Sequence, residues 1–267
     1  MIVDAQIHIW GADQTNRPWP RAGADGRTAQ PQRALPLTAQ EVLAEMDVAG
    51  VDRAILVPPS WEGDRNDLAL AAAAAHPDRF AVMGRVPGDL RSLHGWRNSL
   101  GMLGARIILR DEDVDQWLWA EAQAQGIPLM IAPAGKVPLL ARIARKYPGL
   151  RLIVDHMGAR LHHTGAAAFA QIDDLIAMAA LPNVAVKATC LPDYSATGYP
   201  WNDATPFLRR LFDAFGADRL FWGSDLSRLP CSYPMLVRYF RNELPWLTGG
   251  ERDTIMGSGI MRWLNWK

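Results

Sequence analysis

Eight short apolar runs, each followed by a segment of helical period, constrain this chain more than any other feature. The runs are IVDAQIHI (2–9), RAILVPP (53–59), RFAVMGRV (79–86), GARIILR (104–110), IPLMIAP (127–133), LRLIVDHMG (150–158), NVAVKATC (183–190) and DRLFWGSD (218–225). Each is nearly continuous in Val, Ile, Leu or Phe and bounded by Gly, Pro, Asp or Asn, the pattern of parallel strands covered on both faces. The helical segments are TAQEVLAEMDVAG, DRNDLALAAAAAH, the stretch from Asp89, DEDVDQWLWAEAQAQ, VPLLARIARKYPG, AAAFAQIDDLIAMAA, DATPFLRRLFDAFG and RDTIMGSGIMRWLNW. Thr38 with Glu41 reads as a capping box, and Gly50, Gly126 and Gly216 as helix stops.

Eight strand–helix units predict a single α/β domain over residues 1–267, a distorted (β/α)8 TIM barrel; a doubly wound open sheet is the competing arrangement. Residues 11–37 form a long irregular stretch after the first strand and read as an active-site loop. Lys plus Arg (28) balances Asp plus Glu (28), which leaves no basic footprint for nucleic acid or an anionic membrane. Two cysteines, Cys190 and Cys231, make no disulfide framework and no paired-cysteine zinc spacing. With no signal-peptide pattern at the N-terminus and no membrane-length apolar run, a cytoplasmic location is expected.

In a barrel of this kind, chemistry sits at the C-terminal ends of the strands, and side chains alternate between faces. That rule picks Asp4, Gln6 and His8 as sharing a face of strand one, Arg106 and Arg110 on strand four, His156 ending strand six, Lys187 on strand seven and Asp225 ending strand eight. Ionisable groups in apolar strands are costly to bury unless paired or used. Competing structural readings are ion pairs of Arg106 and Arg110 with Asp111, Glu112 or Asp113, and Asp225 as a helix cap. His162 and His163 fall on a loop, His76 and His94 on helices; Trp10, Trp19, Trp61 and Trp201 follow strands one, two and seven and suit an aromatic pocket mouth.

The motifs VDAQIHIW, PPSWEGDRND, HPDRF, GARIILR, IVDHMG, NVAVKAT and DRLFWGSD, in that order along nearly the whole chain, resemble the amidohydrolase superfamily. The similarity is to its branch of lactonases and 2-pyrone-4,6-dicarboxylate hydrolases. The resemblance implies a hydrolase in which Asp225 manages the proton of the attacking water. The sequence departs from the family's His-x-His at Gln6, and IPLMIAP carries no histidine. Two usual metal ligands are therefore missing, so no tightly bound cofactor is favoured, although His8, His156 and Asp225, with the Gln6 amide oxygen, form a candidate set for one zinc or manganese ion.

The expected reaction is opening of a small lactone, with Asp225 as general base and His8 and His156, and Lys187 beside them, polarising the carbonyl. Arg106 and Arg110 point to an anionic, carboxylated substrate, with Gln6, Lys187 and Trp61 as further contacts. The alternatives are a metal-dependent non-oxidative decarboxylase of an aromatic or muconate-type acid, an amide hydrolase, and a catalytically silent barrel that binds a ligand. Small molecules are the expected partners, and association into a homo-oligomer suits a barrel of this size.

Overall fold

The computed structural model describes residues 1–20, 30–110 and 116–267. Its elements are β1 (Val3–Ile7), α1 (Ala39–Ala49), β2 (Arg53–Leu56), α2 (Asp67–Ala75), β3 (Phe80–Arg85), β4 (Met102–Ile108), α3 (Gln116–Ala124), β5 (Leu129–Ala132), α4 (Val137–Lys146), β6 (Leu152–Val154), α5 (Gly165–Ala168), α6 (Ile172–Ala177), β7 (Val184–Thr189), α7 (Thr205–Phe215), β8 (Leu220–Gly223), α8 (Tyr233–Asn242), α9 (Gly249–Asp253) and α10 (Gly259–Leu264). The strands lie in sequence order, each parallel to the next. This is the (β/α)8 barrel expected from the alternation. Every neighbour is joined by a crossover on one side of the sheet, which wraps it round rather than splaying it open.

Two apolar layers hold it together. Val3, Ala5, Ile55, Ala81, Met83, Met130, Ile153, Ala185 and Phe221 fill the barrel interior, and a larger layer lies between strands and helices. Each fully buried Leu, Ile, Val or Phe side chain contributes roughly 1.5–3 kcal/mol. The capping box at Thr38 and Glu41 is present, and Gly50 ends α1 with a left-handed φ of 70°.

Three expectations are corrected. No α-helix follows Asp89; only a single short turn at Trp96–Asn98 forms, because Gly95 and Gly101 take φ of 72° and 82° and Trp96 Nε1 instead donates to Gly104 O. His94 therefore lies in irregular chain, while His76 caps the end of α2. An added helix, α8, precedes the C-terminal helical segment. Third, Asp4 does not share a face with Gln6 and His8: the register of β1 on β2 slips between Asp4 and Ile7, Val3 and Ala5 point into the barrel, and Asp4 points outward to Tyr233 on α8.

The barrel closes between β8 and β1 largely through that carboxylate. Ser224 N donates to Asp4 Oδ1 at 3.0 Å, and Asp225 N donates to Gln6 O at 3.0 Å. A Cβ on Gly223 would sit 3.0 Å from both Ala5 N and Asp4 Oδ1 and 2.6 Å from Thr189 Cγ2, so only glycine permits this approach.

Candidate active site

A cavity of about 760 Å³ opens at the C-terminal ends of the strands. Gln6, His8, Trp61, Arg106, His156 and Asp225 line it. Of the expected site residues, these six are brought together. Lys187 is fully buried beneath them, and Arg110 stands exposed beyond the end of β4, outside the lining. The acidic partners considered for these arginines, Asp111, Glu112 and Asp113, lie outside the described residues; Arg106 instead pairs with Asp155, its Nε lying 3.2 Å from Oδ2.

Asp225 is fully buried and flanked by both histidines. His8 Nε2 lies 3.1 Å from Oδ1 and His156 Nε2 lies 3.8 Å from Oδ2. His8 Nδ1 donates to Val57 O at 2.5 Å, a carbonyl that can only accept, which leaves Nε2 as the atom presented to Asp225. His156 Nδ1 is engaged by Thr189 Oγ1 at 2.7 Å, so its Nε2 also faces the cavity. Burial alone would push the Asp225 carboxyl up, but His8, His156 and Arg228, whose Nη1 lies 3.4 Å from Oδ2, hold it well below the usual carboxylate range. Burial pushes His156 down to about 3, against the pull of Asp225 and Asp155, so its ring is neutral at pH 7.

The backbone here is strained. His156, Cys190 and Asp225, each following a strand, take left-handed φ of 52°, 56° and 52°. Such conformations cost about 1–2 kcal/mol per residue and persist where surrounding contacts over-determine them. They turn the chain sharply at the strand end and aim His156 and Asp225 inward.

Below the cavity floor, Lys187 Nζ lies 2.8 Å from Asp155 Oδ1 and donates to Gln6 Oε1 at 2.5 Å. Gln6 Nε2 in turn sits 3.3 Å from His8 Nε2. Burial raises the Asp155 carboxyl, yet Lys187 and Arg106 bring it down to about 2. This network bears on the zinc or manganese ion that the resemblance allowed. The Gln6 oxygen is turned to an ammonium, and among the described residues no group of three His, Cys, Asp or Glu side chains closes on a point that could hold a metal. His8, His156 and Asp225 do not fit a metal site in this arrangement.

Several lining residues escaped sequence reasoning. Arg228 reaches Asp225 and also pairs with Asp193. Gln32, from the far limb of the long loop, accepts from Ser227 Oγ, while Arg33 donates to Leu226 O at 3.1 Å. The near limb is fastened to buried Glu62, which accepts from Gly11 N at 2.7 Å and from Arg17 Nη2 at 2.9 Å. Residues 21–29 of that loop lie outside the described residues. Trp61 packs edge-on to His8, ring centroids 6.0 Å apart, and to Trp10 at 5.2 Å. Of the other expected tryptophans, Trp19 packs half-buried near Gly11 and Trp201 against Tyr239, outside the lining. Arg160, His162 and His163 form an outer wall on the β6 side. The signal for Arg228 was its place three residues beyond Asp225; nothing local marked Gln32.

Among the described residues no helix is long and apolar enough to cross a membrane. An L-fucono-1,5-lactonase of Burkholderia ambifaria is 29% identical over 249 residues, covering 85% of this chain and 81% of that protein. In structure the chain is similar to a probable 2-pyrone-4,6-dicarboxylic acid hydrolase of Acinetobacter baumannii, with a TM-score of 0.77, 18% identity and 99% of each chain covered. It is similar to the same degree to an amidohydrolase of Burkholderia multivorans with bound zinc, with a TM-score of 0.77, 21% identity and 99% of each chain covered. Residues 3–252 match the amidohydrolase family, and the chain is a hydrolase that belongs to it.

Proposed function

We propose that the protein opens a small, carboxylated lactone by attack of water. The observation that carries this reading is the convergence of Asp225 with His8 and His156 at one wall of the cavity, with His8 Nε2 3.1 Å from Asp225 Oδ1. The lactonase from Burkholderia ambifaria supports the reaction class.

Asp225 receives a proton from the water whose oxygen adds to the carbonyl carbon. The Nη groups of Arg106, together with neutral His156 carrying its proton on Nε2 while Nδ1 accepts from Thr189 Oγ1, donate to the oxygen that becomes negative in the tetrahedral intermediate. The ring C–O bond then breaks, and protonated Asp225 delivers its proton to the departing alkoxide. A carboxyl held so acidic is a weak base but a ready donor, so it favours the second half of the reaction, while the charged donors carry the first. Net uptake is one water, and the product hydroxy acid releases a proton at neutral pH.

The test is a panel of carboxylated and neutral lactones followed with a pH indicator, on wild type and Asp225→Asn. Proton release by wild type and its loss in the variant support the reading; an inert panel alongside carbon dioxide release from aromatic acids overturns it.

A further inference from the structure

Among the described residues seven large apolar side chains are exposed, and two of them, Ile108 at 39% and Leu161 at 50%, stand in the wall of the cavity. Ile108 lies two residues beyond Arg106 on β4 and shares its inward face one layer nearer the mouth, while Ile107 between them packs outward against the helices. Ile108 pairs in register with Ala132 at the end of β5, and Pro133 and Ala134 extend the same lining. Leu161 continues it past β6, next to Arg160 and His162. β4 and β5 are four strands round the barrel from β8 and β1, so this sector faces Asp225 and His8 across the cavity. Its side chains can neither donate nor accept a hydrogen bond, and the one cation beneath them, Arg106, is paired with Asp155. A single exposed leucine needs no explanation. Two large aliphatic side chains left in contact with water inside one concave site, opposite the reacting groups, gain only when an apolar group covers them.

We propose that Ile108, Ala132, Pro133, Ala134 and Leu161 form a subsite for an aliphatic group, so that the substrate is a lactone carrying an unhydroxylated carbon chain on the ring edge turned away from Asp225. A polyhydroxylated lactone fits this sector poorly: its hydroxyls would leave water there and meet no side-chain partner. The identity of the occupant as substrate rests on the lactone reading; the apolar subsite itself does not.

The experiment measures binding of butanoate, hexanoate and octanoate by calorimetry, with gluconate as the polyhydroxylated acid of hexanoate's chain length. The proteins are the full chain, a double variant Ile108→Asn with Leu161→Ser, and Leu100→Ser, whose side chain is exposed outside the cavity. Wild type gains about three- to fourfold in affinity per added methylene, and the heat capacity of binding grows more negative along the series. Hexanoate binds about tenfold tighter than gluconate or better. The double variant loses most of the gain with chain length, and Leu100→Ser keeps it. No gain with chain length in wild type, the same gain in the double variant, or gluconate bound as tightly as hexanoate overturns the subsite. If the double variant does not fold, the wild-type series and the gluconate comparison decide alone. Turnover separates the two readings. Alkyl-substituted lactones opened ahead of polyhydroxylated ones support both, and lactones opened without regard to the substituent overturn the assignment of the subsite to substrate. A chain-length gain lost in the double variant, with no lactone opened, overturns the lactone reading and leaves the subsite standing.

Discussion

Gln6 accepts a hydrogen bond from Lys187 at 2.5 Å, so the amide oxygen nearest the histidines faces a fixed internal cation. An ammonium so placed repels a second cation at the same oxygen. Activity is therefore expected to survive exhaustive chelation, with less than one-tenth of an equivalent of zinc or manganese by plasma mass spectrometry, roughly. Chelator-sensitive activity restored by either ion is the contrary result.

Lys187 is held by Asp155 and Gln6 with no access to water. Removing one member of a buried ion pair costs about 3–5 kcal/mol, because the other charge is left unpaired. Lys187→Met should lose about that much in denaturant unfolding, less the share that Arg106 still offsets. Adding Asp155→Asn to it should recover part of the loss; additive losses would mean the two side chains are not coupled.

Asp225→Asn keeps the shape of the side chain but accepts no proton. Turnover is expected to fall about 10²–10⁴-fold, the usual share of general acid–base catalysis. A variant retaining a tenth of wild-type turnover would move the base elsewhere.

Burial raises the Asp4 carboxyl to about 6, and hydrogen bonds from Ser224, Tyr233 and Gln6 restrain the rise. A carboxyl whose folded value lies above its unfolded one contributes stability that is fully present below about 4 and is lost as pH rises through about 6. Between those limits wild type should lose about 3 kcal/mol relative to Asp4→Asn, read from unfolding at several pH values. Asp155 runs the other way: its contribution is present above about 4 and lost as pH falls toward 2. Parallel stability curves for wild type and Asp4→Asn would show that Asp4 does not titrate in this window.

Trp61 forms the wall behind His8, and Glu62 next to it ties down both Gly11 and Arg17. Glu62→Ala removes the acceptor for three donors, Gly11 N, Arg17 and Arg65. The expected outcome is faster proteolysis within residues 11–20 and a raised KM with little change in kcat. Unchanged cleavage would mean the loop is held by other contacts.

The barrel was legible from the chain because its strands are covered on both faces and so are written as apolar runs whatever lies beside them. His8, His156 and Asp225 were legible for the same reason, as ionisable residues interrupting such runs. The segment after β3 was misread as helix because a few apolar residues mimic a helical period, whereas Gly95 and Gly101 adopt backbone angles that no periodicity records. Strict alternation likewise failed at Asp4, where a slip of register on β1 turned the carboxylate outward, and at Arg110, which lies beyond the last paired residue of β4.

The sequence by itself determined the architecture and which strand ends carry ionisable groups, because burial of apolar surface is encoded locally, residue by residue. Only the tertiary structure decided which of those groups meet. The pairing of Lys187 with Gln6 and of Asp4 with Ser224 follows from strand register and the slip on β1. These bring together, across as many as 220 residues of chain, side chains whose electrostatic partners no local pattern names.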